Sequence, residues 1–127
     1  METQNPKNKK SYKDLNVWRK SIELSVVIYA LTANFPDSEK FGLSSQMTRA
    51  AVSIASNIAE GSGRGSKKEF CHFLRIALGS ANELETQIEI AKLLPFSKNL
   101  DYTNINNLLT EVLKMLYALI NSLASSN

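Results

Sequence analysis

Apolar residues recur every three or four positions along separate stretches of the chain, and this spacing constrains the fold more than any other feature. At about 100° per residue, such positions fall on one face of an α-helix. The clearest sets are Phe70, Phe73, Leu74, Ala77, Ala81, Leu84, Ile88 and Ala91, then Ile105, Leu108, Leu109, Val112, Met115, Leu116, Leu119, Ile120 and Leu123. No stretch sustains the alternation typical of a strand, so the sequence predicts an all-α protein.

Cap and breaker residues divide the chain into four predicted helices. Their approximate bounds are 14–34, 44–61, 66–94 and 101–124. Asp14 and Asp101 are placed to cap the first and last helices, and Ser66 with Glu69 forms a capping box that begins the third. Gly61 is expected to adopt the left-handed conformation that ends the second helix.

Long helices with short connectors fold back on their neighbours, which predicts an antiparallel up-down-up-down four-helix bundle over residues 12–124. Residues 1–11 are rich in lysine and lack apolar periodicity, so we predict a disordered basic tail. The longest apolar run, residues 26–31, is far too short to cross a membrane. The single cysteine, Cys71, excludes an internal disulfide framework and favours a cytoplasmic protein.

The first helix carries more apolar surface than one face of a bundle can bury. The stripe predicted to face the core contains Leu15, Trp18, Ile22, Val26, Tyr29 and Ala33. A second stripe on the opposite side contains Val17, Leu24, Ile28 and Leu31. An exposed apolar stripe marks an association surface, so we predict a homo-oligomer with this second stripe at the interface. The alternative is that neighbouring helices or loop residues such as Phe35 and Phe41 cover it.

Basic residues form two groups in a chain whose net charge is only +3. The first group lies near the amino end and the second surrounds the predicted start of the third helix, where backbone N–H groups attract anions. An ordinary interhelical turn is the alternative explanation of the second group. The candidate nucleic-acid-binding residues are Lys7, Lys9, Lys10, Lys13, Arg64, Lys67 and Lys68.

The sequence offers no convincing catalytic, metal or cofactor site. Bundles that hold two iron ions need a Glu-x-x-His pair from each of two helices, whereas Glu69 and His72 form one pair with the only histidine. The glycine-rich segment 61–68 matches neither phosphate-loop fingerprint. Three glutamates in the third helix lack a His, Tyr or Cys partner and are predicted to be a solvated or ion-paired face: Glu83, Glu85 and Glu89.

Glu60 is unusual because a carboxylate at the end of a helix opposes the helix dipole. We therefore predict that Arg64 or Arg49 holds it.

Several segments have a distinctive residue order: 12–18, 42–46, 49–54, 56–64 and 79–85. Within them, Asn57-Ile58-Ala59-Glu60-Gly61 is the most specific. Together they resemble the family of four-helix-bundle proteins encoded in intervening sequences of bacterial 23S rRNA genes, over nearly the whole chain. The resemblance implies a homopentameric barrel of bundles. The chain is also similar to accessory proteins of diversity-generating retroelements, which would imply a reverse transcriptase as partner; the sequence does not distinguish the two types.

These observations predict a non-enzymatic oligomer that binds RNA or DNA without sequence specificity. Several basic tails tethered to one assembly act at high effective concentration, which strengthens weak phosphate contacts. The alternative is a protein-interaction scaffold with no nucleic-acid role.

Overall fold

The computed structural model describes residues 11–125, and within them the chain forms four α-helices and no strand. The helices are α1 (Asn16–Thr32), α2 (Leu43–Ser62), α3 (Lys67–Ala91) and α4 (Thr103–Ala124). Short 3-10 turns at Tyr12–Asp14 and Asp37–Glu39 precede α1 and α2. The predicted all-α fold is confirmed. None of the described helices is both long enough and apolar enough to cross a membrane.

The helices form a closed four-helix bundle in which α1 contacts α2, α2 contacts α3, α3 contacts α4 and α4 contacts α1. Consecutive helices run in opposite directions. Trp18 near the start of α1 lines a groove with Ala59 near the end of α2. Likewise, Lys67 at the start of α3 lines a cleft with Ala124 at the end of α4. The start of α1, the end of α2, the start of α3 and the end of α4 therefore share one end of the bundle.

The core of α2, α3 and α4 matches the predicted apolar faces. Leu74, Leu84, Val112 and Leu116 have no exposed surface. The small residues of α2 let its backbone approach α3 closely, and the approach is tightest at Gly61. A Cβ atom added to Gly61 would lie 2.6 Å from the Phe73 Cβ.

The two stripes of α1 are exchanged relative to the prediction. The stripe assigned to a subunit interface lies in the core of the monomer: Val17, Leu24, Ile28 and Leu31. The stripe assigned to the core faces outward, since Val26 is 62% and Tyr29 57% exposed. The buried face also includes two serines and a threonine, which apolar spacing does not count: Ser21, Ser25 and Thr32. Burial of Ser21 is tolerated because its hydroxyl donates to the Val17 carbonyl at 2.7 Å.

Several predicted helix ends also need correction. Asp14 does not cap α1; its carboxylate accepts from the Ser11 backbone N–H at 3.2 Å and caps the preceding 3-10 turn. The end of α2 passes through Gly61 to Ser62, and the left-handed residue is Gly65, with φ 89°. Glycine is required there because other residues rarely adopt that conformation.

The third helix starts as predicted but ends early. The Ser66 hydroxyl accepts from the Glu69 N–H at 3.1 Å, so the serine half of the predicted capping box is confirmed. Ala91 is the last residue of α3, and the Ser97 hydroxyl donates to its carbonyl at 2.6 Å. Turns then lead to α4, where Asp101 accepts from the Thr103 N–H at 2.9 Å, which lowers the pKa of Asp101.

Candidate nucleic-acid interface

One end of the bundle collects the candidate cations that the structure describes. Lys13 lies in the turn before α1, Arg64 follows α2, and Lys67 and Lys68 form the first turn of α3. All four side chains are exposed to solvent. Lys7, Lys9 and Lys10 lie outside the described residues. The two predicted basic groups are therefore joined to the same end of the fold, although more than fifty residues separate Lys13 from Arg64 in sequence.

Arg64 is occupied by contacts within the monomer. Its Nη2 atom lies 2.7 Å from the Glu60 carboxylate, so the predicted pairing of Glu60 with Arg64 is confirmed. Its guanidinium carbon also lies 4.8 Å from the centre of the Phe73 ring. Arg64 thus neutralises the acidic end of α2 and packs beside the close contact with α3. Its charge is less available to a ligand than that of a lysine that projects into solvent.

Lys67 and Lys68 occupy a position that the helix dipole disfavours. The first turn of a helix carries partial positive charge from its unpaired N–H groups, so acidic residues normally stabilise it. Here two lysines stand beside Glu69, and Lys68 forms no ion pair within residues 11–125. The positive potential of the lysines adds to that of the helix end.

The structure extends this basic surface with two residues that sequence analysis did not assign to it. Lys67, Lys68, His72 and Arg75 line a cleft of about 460 Å³ between the start of α3 and the end of α4. The side chains of Lys68, His72 and Arg75 share one helical face because they are spaced by four and three residues. That spacing was visible in the sequence, but the wall supplied by Leu123 and Ala124 required the fold.

A separate apolar surface lies on the outward face of α1. Ile22, Val26 and Tyr29 are 38%, 62% and 57% exposed. Ile22 also lines a groove of about 270 Å³ between α1 and α2, together with Val52. Ser25 lies in the same groove, and its buried hydroxyl has no hydrogen-bond partner in the described structure. The surplus apolar surface predicted for the first helix therefore exists, but it consists of different residues.

The remaining titratable residues form no recognisable reaction centre. Among residues 11–125, no three His, Cys, Asp or Glu side chains are grouped so that they could hold a metal ion. His72 is exposed and packs edge to face against Phe73. Cys71 is half-buried, and its thiol donates to the Ile120 carbonyl at 3.7 Å. Glu89 pairs with Lys92 at 2.9 Å, as expected for an ion-paired face.

Comparison with known proteins supports the fold and a family assignment. The family model described as 23S rRNA-intervening sequence protein matches residues 13–118. A crystal structure of a protein of unknown function from the S23 ribosomal protein family of Bacteroides thetaiotaomicron is 34% identical. The similarity covers 82% of this chain and 97% of that one, with a TM-score of 0.71. The comparison with curated proteins gives no match.

Proposed function

Because the chain belongs to the 23S rRNA-intervening sequence protein family, we propose that it is an oligomeric, non-enzymatic protein that binds RNA or DNA through phosphate contacts. The observation that carries this proposal is the basic cleft formed by Lys67, Lys68, His72 and Arg75. Three of these side chains are permanently charged near neutral pH, and no acidic residue lines the cleft.

Phosphate binding accounts for lysines at the start of α3. Without a ligand, the positive helix end and the lysines repel each other. A phosphate group placed in the cleft would receive hydrogen bonds from the side chains and would be favoured by the dipole. No base-reading arrangement accompanies this cleft, so its contacts are to the phosphate backbone and carry little sequence information.

Oligomerisation would multiply these weak contacts. The exposed face formed by Ile22, Val26 and Tyr29 is apolar and continues into the groove beside Val52. Burial of such a face against another subunit removes apolar area from water, which favours association. We propose that this face forms the contact in a homopentamer, in place of the four core residues. Each subunit then adds a basic cleft and the lysines at positions 7, 9 and 10.

A binding titration with charge-matched variants tests the nucleic-acid role. We would measure the fluorescence anisotropy of a labelled single-stranded U12 RNA against the full chain at several salt concentrations. Lys67→Gln combined with Lys68→Gln should weaken binding and make the salt dependence shallower, by a slope of about 0.7 for each phosphate of the single strand that the variant no longer neutralises. Lys98→Gln combined with Lys114→Gln removes the same charge outside the basic cleft and should have a smaller effect.

Substitution of Lys7, Lys9 and Lys10 by glutamine measures the contribution of the amino-terminal lysines separately. Equal affinity of all variants and the parent would reject the proposed phosphate contacts.

A protein-interaction scaffold is the second candidate function. Phe41 and Leu93, which are 90% and 81% exposed, favour it because large apolar side chains on a surface commonly contact partners. Absence of RNA and DNA binding at low salt, with an intact oligomer, would support the scaffold over the proposed function.

A further inference from the structure

The largest described cleft lies between α2 and α3, on a different face from the exposed stripe of α1. Its volume is about 530 Å³, within the range of about 300 to 1,000 Å³ that is typical of small-ligand sites. The lining residues that matter for the argument are Phe41, Gln46, Arg49, Ser53, Ser80 and Glu83. They come from two segments, 42–54 and 79–85 with the preceding Phe41, that fold together only when α2 packs on α3.

The floor of the cleft is held by hydrogen bonds between the two helices. The Ser53 and Ser80 hydroxyl oxygens are 2.9 Å apart, and the Asn57 amide donates to the Ser53 carbonyl at 2.9 Å. These contacts fix the spacing of the cleft walls. The side chains above them are therefore mounted on two rigid helices, which suits a site that recognises the shape of a ligand.

The groups above this floor are not used by the fold. Phe41 is 90% exposed, so its ring contributes almost no burial to the monomer. Arg49 and Glu83 line the same cleft with opposite charges but form no ion pair with each other. Within residues 11–125, the Glu83 carboxylate accepts only one long hydrogen bond, from Gln87 at 3.5 Å. An aromatic ring, a guanidinium and a carboxylate are thus presented to solvent around one cavity.

We propose that this cleft binds an unpaired guanine base. Aromatic rings and arginine planes stack on exposed bases, and single-stranded nucleic acids are recognised in this way. Guanine offers two adjacent donors, N1–H and the N2 amino group, to the two oxygens of Glu83. It offers two adjacent acceptors, O6 and N7, to the paired N–H donors of Arg49.

Adenine, cytosine and uracil each lack one half of this pattern. Adenine has no O6 acceptor, and uracil has a single N–H donor on its pairing edge. Cytosine has an amino group beside an acceptor rather than beside a second donor. Glu83 and Arg49 together therefore favour guanine, while Phe41 supplies a stacking surface that any base can use.

The inference extends the proposed function when the base belongs to RNA or DNA, but a free guanine nucleotide carries the same edge. Two probes distinguish these sources. The first is a labelled U12 RNA compared with the same RNA carrying one central guanine, measured by anisotropy with the full chain. The second is GMP alone, measured by isothermal titration calorimetry, with AMP as the comparison.

The guanine-containing RNA should bind at least about fivefold more tightly than U12, because one well-formed bidentate contact discriminates bases by about that factor or more. Glu83→Gln should abolish this preference, since an amide replaces one acceptor oxygen with a donor. Glu85→Gln, which makes the same charge change on the same helix outside the cleft, should retain it. Phe41→Leu should weaken binding of guanine without unfolding the protein, because the ring is exposed.

The outcomes separate this inference from the proposed function. Binding of U12 with no preference for guanine, and no heat with GMP, would overturn the guanine site and leave phosphate binding intact. GMP binding that is lost in Glu83→Gln, without any RNA binding, would support the site and overturn the proposed function. No binding of RNA or GMP would overturn both.

Discussion

Replacement of Gly61 by alanine tests whether the close approach of α2 and α3 is required by the fold. In an ordinary helix this change is favourable, because alanine exceeds glycine in helix propensity by about 1 kcal/mol. At Gly61 the new Cβ would lie 2.6 Å from the Phe73 Cβ, 3.1 Å from Phe70 Cδ1 and 3.3 Å from the Phe70 carbonyl oxygen. The Phe73 Cβ is attached directly to the backbone, so rotation of the side chain cannot relieve the contact.

The helices must therefore separate locally, since carbon atoms normally rest about 3.5 to 4.0 Å apart. Forcing extra atoms into a packed site costs about 1 to 3 kcal/mol. Subtraction of the propensity gain leaves a net loss of up to about 2 kcal/mol in the free energy of unfolding. Gly79 supplies the matched control, because it lies within α3 and an added Cβ would meet nothing within 4 Å. Gly79→Ala should raise the unfolding free energy by about 0.5 to 1 kcal/mol.

Urea and thermal denaturation of both variants, monitored by circular dichroism, would measure these changes. Protein concentration must be held constant, because association stabilises the folded state by mass action. The expected difference between the variants is about 1 to 3 kcal/mol, or several degrees in melting temperature for a domain of this size. A Gly61→Ala protein at least as stable as its parent would refute the packing argument.

Three further changes test other contacts. Val26→Asp should reduce the oligomer to a 14.1 kDa monomer in light scattering if the exposed face of α1 is the subunit contact, whereas Glu23→Gln should not. Burial raises the pKa of Tyr102, against the smaller lowering by its hydrogen bond to Ser97 and the charge of Lys92. The unfolded chain therefore loses this proton first, so stability present below about pH 10 falls as the pH rises towards the folded pKa; Tyr102→Phe should remove that alkaline loss in pH-dependent denaturation, at a cost of about 1 kcal/mol near neutral pH. Ser25→Ala should raise the unfolding free energy by about 1 kcal/mol because its buried hydroxyl lacks a partner, while Ser21→Ala, which removes a hydrogen bond, should not; equal effects would contradict this account.

The number, type and approximate placement of the helices could be predicted because local signals agree with the tertiary fold. The apolar faces of α3 and α4 have no competing face, and Ser66 has a side chain suited to cap a helix. Helix ends that depend on neighbouring turns were less predictable. Asp14 is a plausible cap by residue type, but the 3-10 turn that begins after Ser11 uses its carboxylate first.

The orientation of α1 could not be predicted from hydrophobicity alone. Its outward stripe contains larger side chains, including Trp18 and Tyr29, and therefore resembles a core face more closely. Packing against the alanine-rich α2 favours the stripe that includes the smaller Ser21 and Ser25, whose burial depends on bonds within the helix or is left uncompensated. Spacing alone indicates that two apolar faces exist, and the choice between them requires the shape of the neighbouring helix.

The candidate sites show the same division. Lys67 and Lys68 were visible as cations at a helix start, whereas Arg75 joins them only because α4 ends beside this face of α3. Likewise, Arg49 and Glu83 are 34 residues apart, and nothing local in the sequence brings them to one cleft.

The antiparallel arrangement has a practical consequence for the design of binding assays. The described chain begins at Ser11 and finishes at Ser125, both at the end of the bundle that carries Lys67 and Lys68. A purification tag or surface linker fused to either terminus would therefore crowd the basic cleft. Asn99 is exposed in the loop between α3 and α4 at the far end, so a fluorophore or biotin attached there leaves that cleft open.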